Sequence, residues 1–185
     1  MNSNNNEYNY DTNEVDCLKC ISANEHCFLN FNNKDSSLFL MGINIQSIHS
    51  KYDRLNEMLS SLELKYKCPE VIGFQELYMS ECMPPPNFNN YHPLVFANRT
   101  SSRGGGVGLL IKNNLSYNKN EQLCLFIERV FESISYDIYL NHKRYTIISV
   151  YRPPTCPNMT NSQSLNSFFV YLHQILSIAQ AIPFC

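Results

Sequence analysis

Three apolar runs in this chain of 185 residues each end in polar side chains that can do chemistry. The run at 38–43 ends in Asn44, the run at 71–74 in Gln75 and Glu76, and the run at 147–150 in Tyr151 and Arg152. An inner strand of a layered α/β protein is apolar along its length, so polar groups at its tip face a cleft, where ligands and metals collect. Glu76 and Asn44 offer a carboxylate and an amide oxygen, the hard donors that Mg²⁺ takes while keeping several waters. Tyr151 can donate its hydroxyl to a phosphate oxygen, and Arg152 presents a planar charged fork suited to the same anion. Each also has an ordinary structural use: Glu76 as a helix cap or lysine partner, Tyr151 as an aromatic core residue, Arg152 as a solvated charge. No Asp or Glu follows Asp137, so the carboxylate has no acidic partner in the last part of the chain.

The stretch Arg103-Gly104-Gly105-Gly106-Val107-Gly108 holds four of the six glycines. It has neither the strand-to-helix setting nor the Gly-Lys-Ser/Thr ending of a phosphate loop, and it leads into a strand. Glycines that permit a bulge or close sheet packing explain it better than a phosphate cradle. Arg99 and Arg103 flank this turn and are candidate contacts to a nucleic-acid backbone, against the alternative of scattered surface cations. Cys17 and Cys20, followed by His26 and Cys27, resemble the start of a zinc knuckle. Adjacent His and Cys residues rarely both reach one metal, so zinc at Cys17, Cys20 and Cys27 is not expected and free thiols are. No serine or cysteine sits in a nucleophile elbow, and no histidine pair has the i, i+4 spacing of a zinc helix.

Elements that could position these residues follow from periodicity. Residues 38–45 read as a nearly continuous apolar strand, and 47–50 as a turn. In 51–65, Leu55, Met58, Leu59 and Leu62 fall at helical spacing with charges between them, which predicts an amphipathic helix packed on a sheet. Pro69 and Glu70 introduce the strand that ends at Glu76, giving a βαβ-like opening. The Pro84-Pro85-Pro86 segment is a surface loop, because proline lacks the ladder donor. Short strands follow at 94–97 and 107–112. Ile134, Tyr136 and Ile138 alternate with polar residues before a turn at 141–144 and a strand at 145–150, which predicts an antiparallel hairpin and hence a mixed sheet. Leu165, Phe168, Phe169, Leu172, Ile175 and Leu176 then give a final helix over 164–179 a broad apolar face.

Composition sets the outer bounds. With 44% apolar and 12% aromatic residues, one domain can bury a core, and a formal charge of −2 gives no global electrostatic footprint for nucleic acid. Residues 1–36 are Asn-rich and read as a flexible leader carrying the cysteine cluster. No basic-then-apolar secretory signal and no membrane-length run is present, so a soluble cytoplasmic or nuclear protein is expected.

Four segments, in this order, resemble the endonuclease/exonuclease/phosphatase superfamily, and in particular the apurinic-type endonuclease domain of non-LTR (LINE-like, Jockey or CR1) retrotransposons. They are Gly42-Ile43-Asn44-Ile45-Gln46-Ser47, Val71-Ile72-Gly73-Phe74-Gln75-Glu76, Arg103-Gly104-Gly105-Gly106-Val107-Gly108-Leu109 and Ile148-Ser149-Val150-Tyr151-Arg152-Pro153-Pro154. The likeness spans 37–179. It implies a DNase I-like fold, a partial four-layered α/β sandwich with mixed β-sheets flanked by helices, and a Mg²⁺-dependent phosphodiesterase site acting on DNA. By the same resemblance Glu76 is the metal ligand, Asn44 lies near metal and phosphate, and Tyr151 contacts the scissile phosphate. Gln46 stands where some relatives carry an auxiliary acidic residue. The Gly-Asp-x-Asn and Ser-Asp-His motifs of the family are not in the chain, so 37–185 corresponds to the N-terminal part of such a domain and its Mg²⁺ site is incomplete. The expected function is therefore a truncated endonuclease with little or no activity alone; the alternative is a non-catalytic nucleic-acid or protein binding module.

Overall fold

The computed structural model describes residues 38–65, 68–79, 82–156 and 158–182, together with the course of two earlier strands, β1 (Leu18–Ala23) and β2 (His26–Phe31). The chain continues as β3 (Phe39–Asn44), helix α1 (Tyr52–Lys65), β4 (Val71–Gln75), β5 (Val95–Ala97), β6 (Val107–Ile111) and β7 (Ser116–Lys119). A short 3₁₀ turn at Glu121–Leu123 leads to β8 (Phe126–Ile127), β9 (Phe131–Leu140), β10 (Lys143–Tyr151) and helix α2 (Asn161–Ala181).

These strands form two sheets. The first runs β1-β2-β3-β4-β6-β5 and is mixed: β3 and β4 are parallel and the other pairs antiparallel. The second runs β10-β9-β7, with β8 also on β9, and is antiparallel. A parallel pair needs a crossover, and α1 supplies it between β3 and β4. Its Leu55 and Leu59 are buried against Met41, Ile43, Ile72, Phe74 and Leu110 on one face of the first sheet. The opposite face carries Leu38, Val71, Leu109 and Ile111, which pack on Ile134, Ile138 and Ile147 of the second sheet. Along β4, Val71 and Ile72 thus point to opposite sides, as a strand covered on both faces requires.

Helix α2 closes the outer side of the second sheet, with Ile175, Phe168 and Leu172 on Leu123, Phe131, Ile148 and Val150. The order helix, sheet, sheet, helix is an α/β sandwich of four layers. Each buried side chain of this size contributes about 1.5–3 kcal/mol. Helix α2 begins at Asn161, three residues before the expected start at 164. Thr160 accepts from the Gln163 amide at 3.3 Å while Gln163 Oε1 accepts from the Thr160 amide at 2.8 Å, a capping box that fixes the start. The β9–β10 hairpin is likewise longer than its alternation suggests. Its loop is only Asn141 and His142, both at positive φ (49° and 62°), the geometry of a tight turn that matches strand twist.

Order in the first sheet begins earlier than composition suggests, because β1 and β2 fall inside the segment expected to be a flexible leader. Ile21, Phe28, Leu29 and Phe31 are strand-forming residue types between the Asn-rich stretches, and β2 pairs with an edge of β3 that would otherwise stay open. Cys20 falls opposite Leu29, and Cys27 opposite Ser22. Cys17, the remaining member of the cysteine cluster, lies outside the described residues. Among the described residues no helix is long and apolar enough to cross a membrane.

Candidate functional site

Because β3 and β4 are parallel and adjacent, their last residues coincide: Asn44 stands beside Gln75, and Glu76 follows at the tip. Beyond that point the two chains stay zipped, with Ile45 N–H to Gln75 O at 3.0 Å, Ser47 N–H to Glu76 O at 2.9 Å and Ile48 N–H to Leu77 O at 3.0 Å. On its other side the same segment donates from Leu77 to Gly106 O at 3.3 Å and from Tyr78 to Gly105 O at 3.0 Å. Held from both flanks, the backbone adopts left-handed φ values at Gln46 (47°), Ser47 (83°), Glu76 (57°) and Tyr78 (48°). Such conformations cost on the order of 1–3 kcal/mol each outside glycine and cluster at functional sites.

The second sheet brings in the remaining strand tip. Ser149 on β10 donates to Phe74 O at 3.4 Å, which registers β10 over β4. Tyr151, two residues further along and on the same face of its strand, therefore arrives above Glu76. Three donors converge on that carboxylate: Asn44 Nδ2 at 2.9 Å and the Tyr151 hydroxyl at 3.0 Å on Oε1, and the Tyr78 hydroxyl at 2.5 Å on Oε2. Burial pushes the Glu76 carboxyl upward, but the hydrogen bonds from Tyr78, Asn44 and Tyr151, with the nearby Arg99 charge, outweigh it and hold the group below the usual carboxylate range. Burial, and then the bond to Glu76, push the Tyr151 hydroxyl upward; for Tyr78 the bond to Glu76 comes first and burial second. At neutral pH the cluster is one anion with two protonated phenols and an amide, so the tyrosines act as donors and not as bases.

Asn44, Glu76 and Tyr151 are thus brought together as their positions at strand tips suggest. Arg152, next in the chain after Tyr151, is exposed, with a 3.5 Å contact from Nη1 to Pro153 O, and Arg103 is exposed in the glycine turn. Arg99 is a correction. Its Nε lies 2.5 Å from Glu132 Oε1, and the two side chains are 8% and 0% exposed, so its charge is committed inside the protein and not presented to a nucleic-acid backbone. Its position beside a glycine turn hid this, because the partner is 33 residues away. Tyr78 and Glu132 were both missed. Glu132 carried a signal, a charged residue on the inward side of the alternating β9 sequence; Tyr78 lies in a loop with no periodicity and carried none.

Among the described residues no group of three or more His, Cys, Asp or Glu side chains could hold a metal ion. The cluster does fit a hydrated Mg²⁺ in donor type. A carboxylate offers about four acceptor directions, of which three are used here, and Mg²⁺ is commonly held through one or two carboxylates with water and phosphate completing its shell. Glu76 and the amide oxygen of Asn44 are the residues that would hold it. Beside Asn44 opens a cavity of about 640 Å³ whose rim carries Gln46, Lys51 and Arg54 above Ile45 and Leu55.

No family model matches the sequence, and no curated protein matches it. Among solved structures, the chain is similar to a 3′ phosphatase, NExo, from Neisseria bound to a product DNA hairpin, with 13% identity and a TM-score of 0.47. The alignment covers 77% of this chain and 52% of that one, so the chain spans about half the length of that neighbour.

Proposed function

We propose that the chain is the metal- and phosphate-binding part of a Mg²⁺-dependent phosphodiesterase domain of the endonuclease/exonuclease/phosphatase type, of retrotransposon origin, with DNA as its substrate and little or no turnover on its own. The observation that carries this reading is the meeting of Asn44 and Tyr151 on one oxygen of Glu76, from three strands and across a sequence separation of 75 residues in the case of Tyr151. Mg²⁺, when bound, supplies charge to stabilise a phosphodiester at the reaction centre. The protein's own share is to keep Glu76 ionised, to hold beside it the protonated Tyr151 phenol, whose O–H can swing from the carboxylate to an arriving phosphate oxygen, and to offer Lys51 and Arg54 on the cavity rim to the adjoining DNA strand. A carboxylate or histidine able to prepare water would add about 10²–10⁴ in rate, and the hydrogen-bond donors on Glu76, Asn44, Tyr78 and Tyr151, include neither. This is why turnover by the chain alone is low in this reading.

A nicking assay on supercoiled plasmid with Mg²⁺ tests it, comparing the chain with Glu76→Ala. Nicking that disappears in the variant supports the phosphodiesterase. The same background in both supports a second reading, a non-catalytic binding module, which is favoured by one feature: Asn44, Tyr78 and Tyr151 already satisfy Glu76 without any ion.

A further inference from the structure

Glu132 is fully buried on β9, directly across the hairpin from Tyr151 on β10. Its Oε1 accepts from Arg99 Nε at 2.5 Å and from the Arg129 amide at 3.2 Å, and its Oε2 accepts from the Gly106 amide at 2.7 Å. Arg99 Nη1 also donates to Arg103 O at 3.4 Å. The three glycines between these anchors all have positive φ: 83°, 67° and 86° at Gly104, Gly105 and Gly106. A Cβ at Gly105 would lie 2.3 Å from Arg99 Nε, so the guanidinium rests on the bare backbone there. A Cβ at Gly104 would meet the Tyr78 ring at 3.4 Å. The carbonyls of Gly105 and Gly106, freed by this geometry, are the ones that receive the amides of Tyr78 and Leu77.

The pieces form one chain of contacts. A buried ion pair fixes the glycine turn, the turn's carbonyls fix residues 77 and 78, and the Tyr78 hydroxyl fixes the free oxygen of Glu76. From this we infer that Arg99 and Glu132 are positioning residues, which set the Tyr78 phenol and the Glu76 carboxylate through the three-glycine turn without touching a ligand. The inference rests on the reading of Glu76 as the ligand-binding group. It also gives the glycine run a role that is neither a phosphate cradle nor a simple bulge. Replacing the ion pair by apolar residues of equal volume would keep the packing but would leave the Gly106 amide without its acceptor.

Amide hydrogen exchange combined with the ¹³C ring signal of Tyr78, on the full chain without DNA or metal, tests this. In Glu132→Gln and, to a smaller degree, in Arg99→Lys, exchange at Leu77 and Tyr78 rises about 10-fold or more and the Tyr78 ring signal shifts, while Ile72 and Leu110 keep their protection. Glu128→Gln, which releases Thr100 and Ser101 on the outer side of the same loop, leaves those three signals in place. The inference is overturned if folded variants show no change at Leu77 and Tyr78, or if protection is lost evenly along β4 and β6. Should neither variant fold, the unmodified protein decides: Gly106, Leu77 and Tyr78 amides exchanging as one unit support the clamp, and independent rates overturn it. None of these signals depends on nicking, so the clamp and the phosphodiesterase reading stand or fall separately.

Discussion

Glu76 and Glu132 each accept three hydrogen bonds, at opposite ends of the same short path through the molecule. Around Glu132 one of the donors is a guanidinium, both partners are buried, and the charges cancel inside the protein. Around Glu76 the direct donors are two phenols and an amide, all neutral, and one of them, Tyr78, is 42% exposed. A carboxylate whose charge is matched within the fold is part of the scaffold. A carboxylate that is ionised, ordered and hydrogen-bonded to neutral groups has no direct counter-charge. The number of hydrogen bonds does not separate the two cases; the charge of the donors and the access of water do.

The contrast is broken most severely at the buried end. Glu132→Ala leaves Arg99 buried without a counter-charge and the Gly106 amide without an acceptor, so unfolding in urea should show a loss of about 3–5 kcal/mol. A loss below about 1 kcal/mol would mean that water reaches the pair. The open end should respond more gently. Tyr151→Phe removes one of two donors to Glu76 Oε1 and should cost about 1 kcal/mol, and a double-mutant cycle with Glu76→Gln should recover most of that as coupling between the two. Additive effects would show that the bond contributes nothing to stability.

Acid sharpens the comparison further. Glu76 is held below its ordinary value by Tyr78, Asn44 and Tyr151 against the upward push of burial, so the folded state binds fewer protons there than the unfolded chain does. Its contribution to stability is complete above the ordinary carboxylate range and is lost as pH falls through the folded value. Glu128, held at about 2 against an ordinary 4.5 because the bonds from Ser101 and Thr100 outweigh its burial, loses its contribution across that window in the same direction. Glu128→Gln should therefore flatten the fall in stability between pH 4.5 and about 2, and Glu76→Gln should remove a further part of it; urea midpoints measured against pH read both. The smallest effect belongs to Arg152. Exposed and weakly bonded, it should change stability by less than about 0.5 kcal/mol on conversion to Ala, while plasmid nicking or DNA binding, if present, weakens.

Much of the first sheet was legible because its information is local. The spacing of Leu55, Met58 and Leu59 marked α1 to within a residue, and apolar runs marked β3, β4 and β6. β1 and β2 were hidden by Asn-rich neighbours, and β7 by being polar on an exposed edge, so neither showed the hydrophobic pattern that marks a covered strand. The capping box at Thr160 and Gln163 was present in the sequence as Thr-x-x-Gln, ahead of the apolar stripe, and it explains the earlier helix start.

By itself the sequence determined that Asn44, Glu76 and Tyr151 stand at strand tips, since a strand's end is set where its own apolar run stops. Only the tertiary structure decided that the three tips share one point, that Arg99 turns inward, and that one glutamate is sealed while the other stays open. Those outcomes depend on how two sheets stack and on which groups meet across 32 to 75 residues of chain. No window of sequence contains both partners, and the charge state and exposure of a carboxylate are properties of the company it keeps.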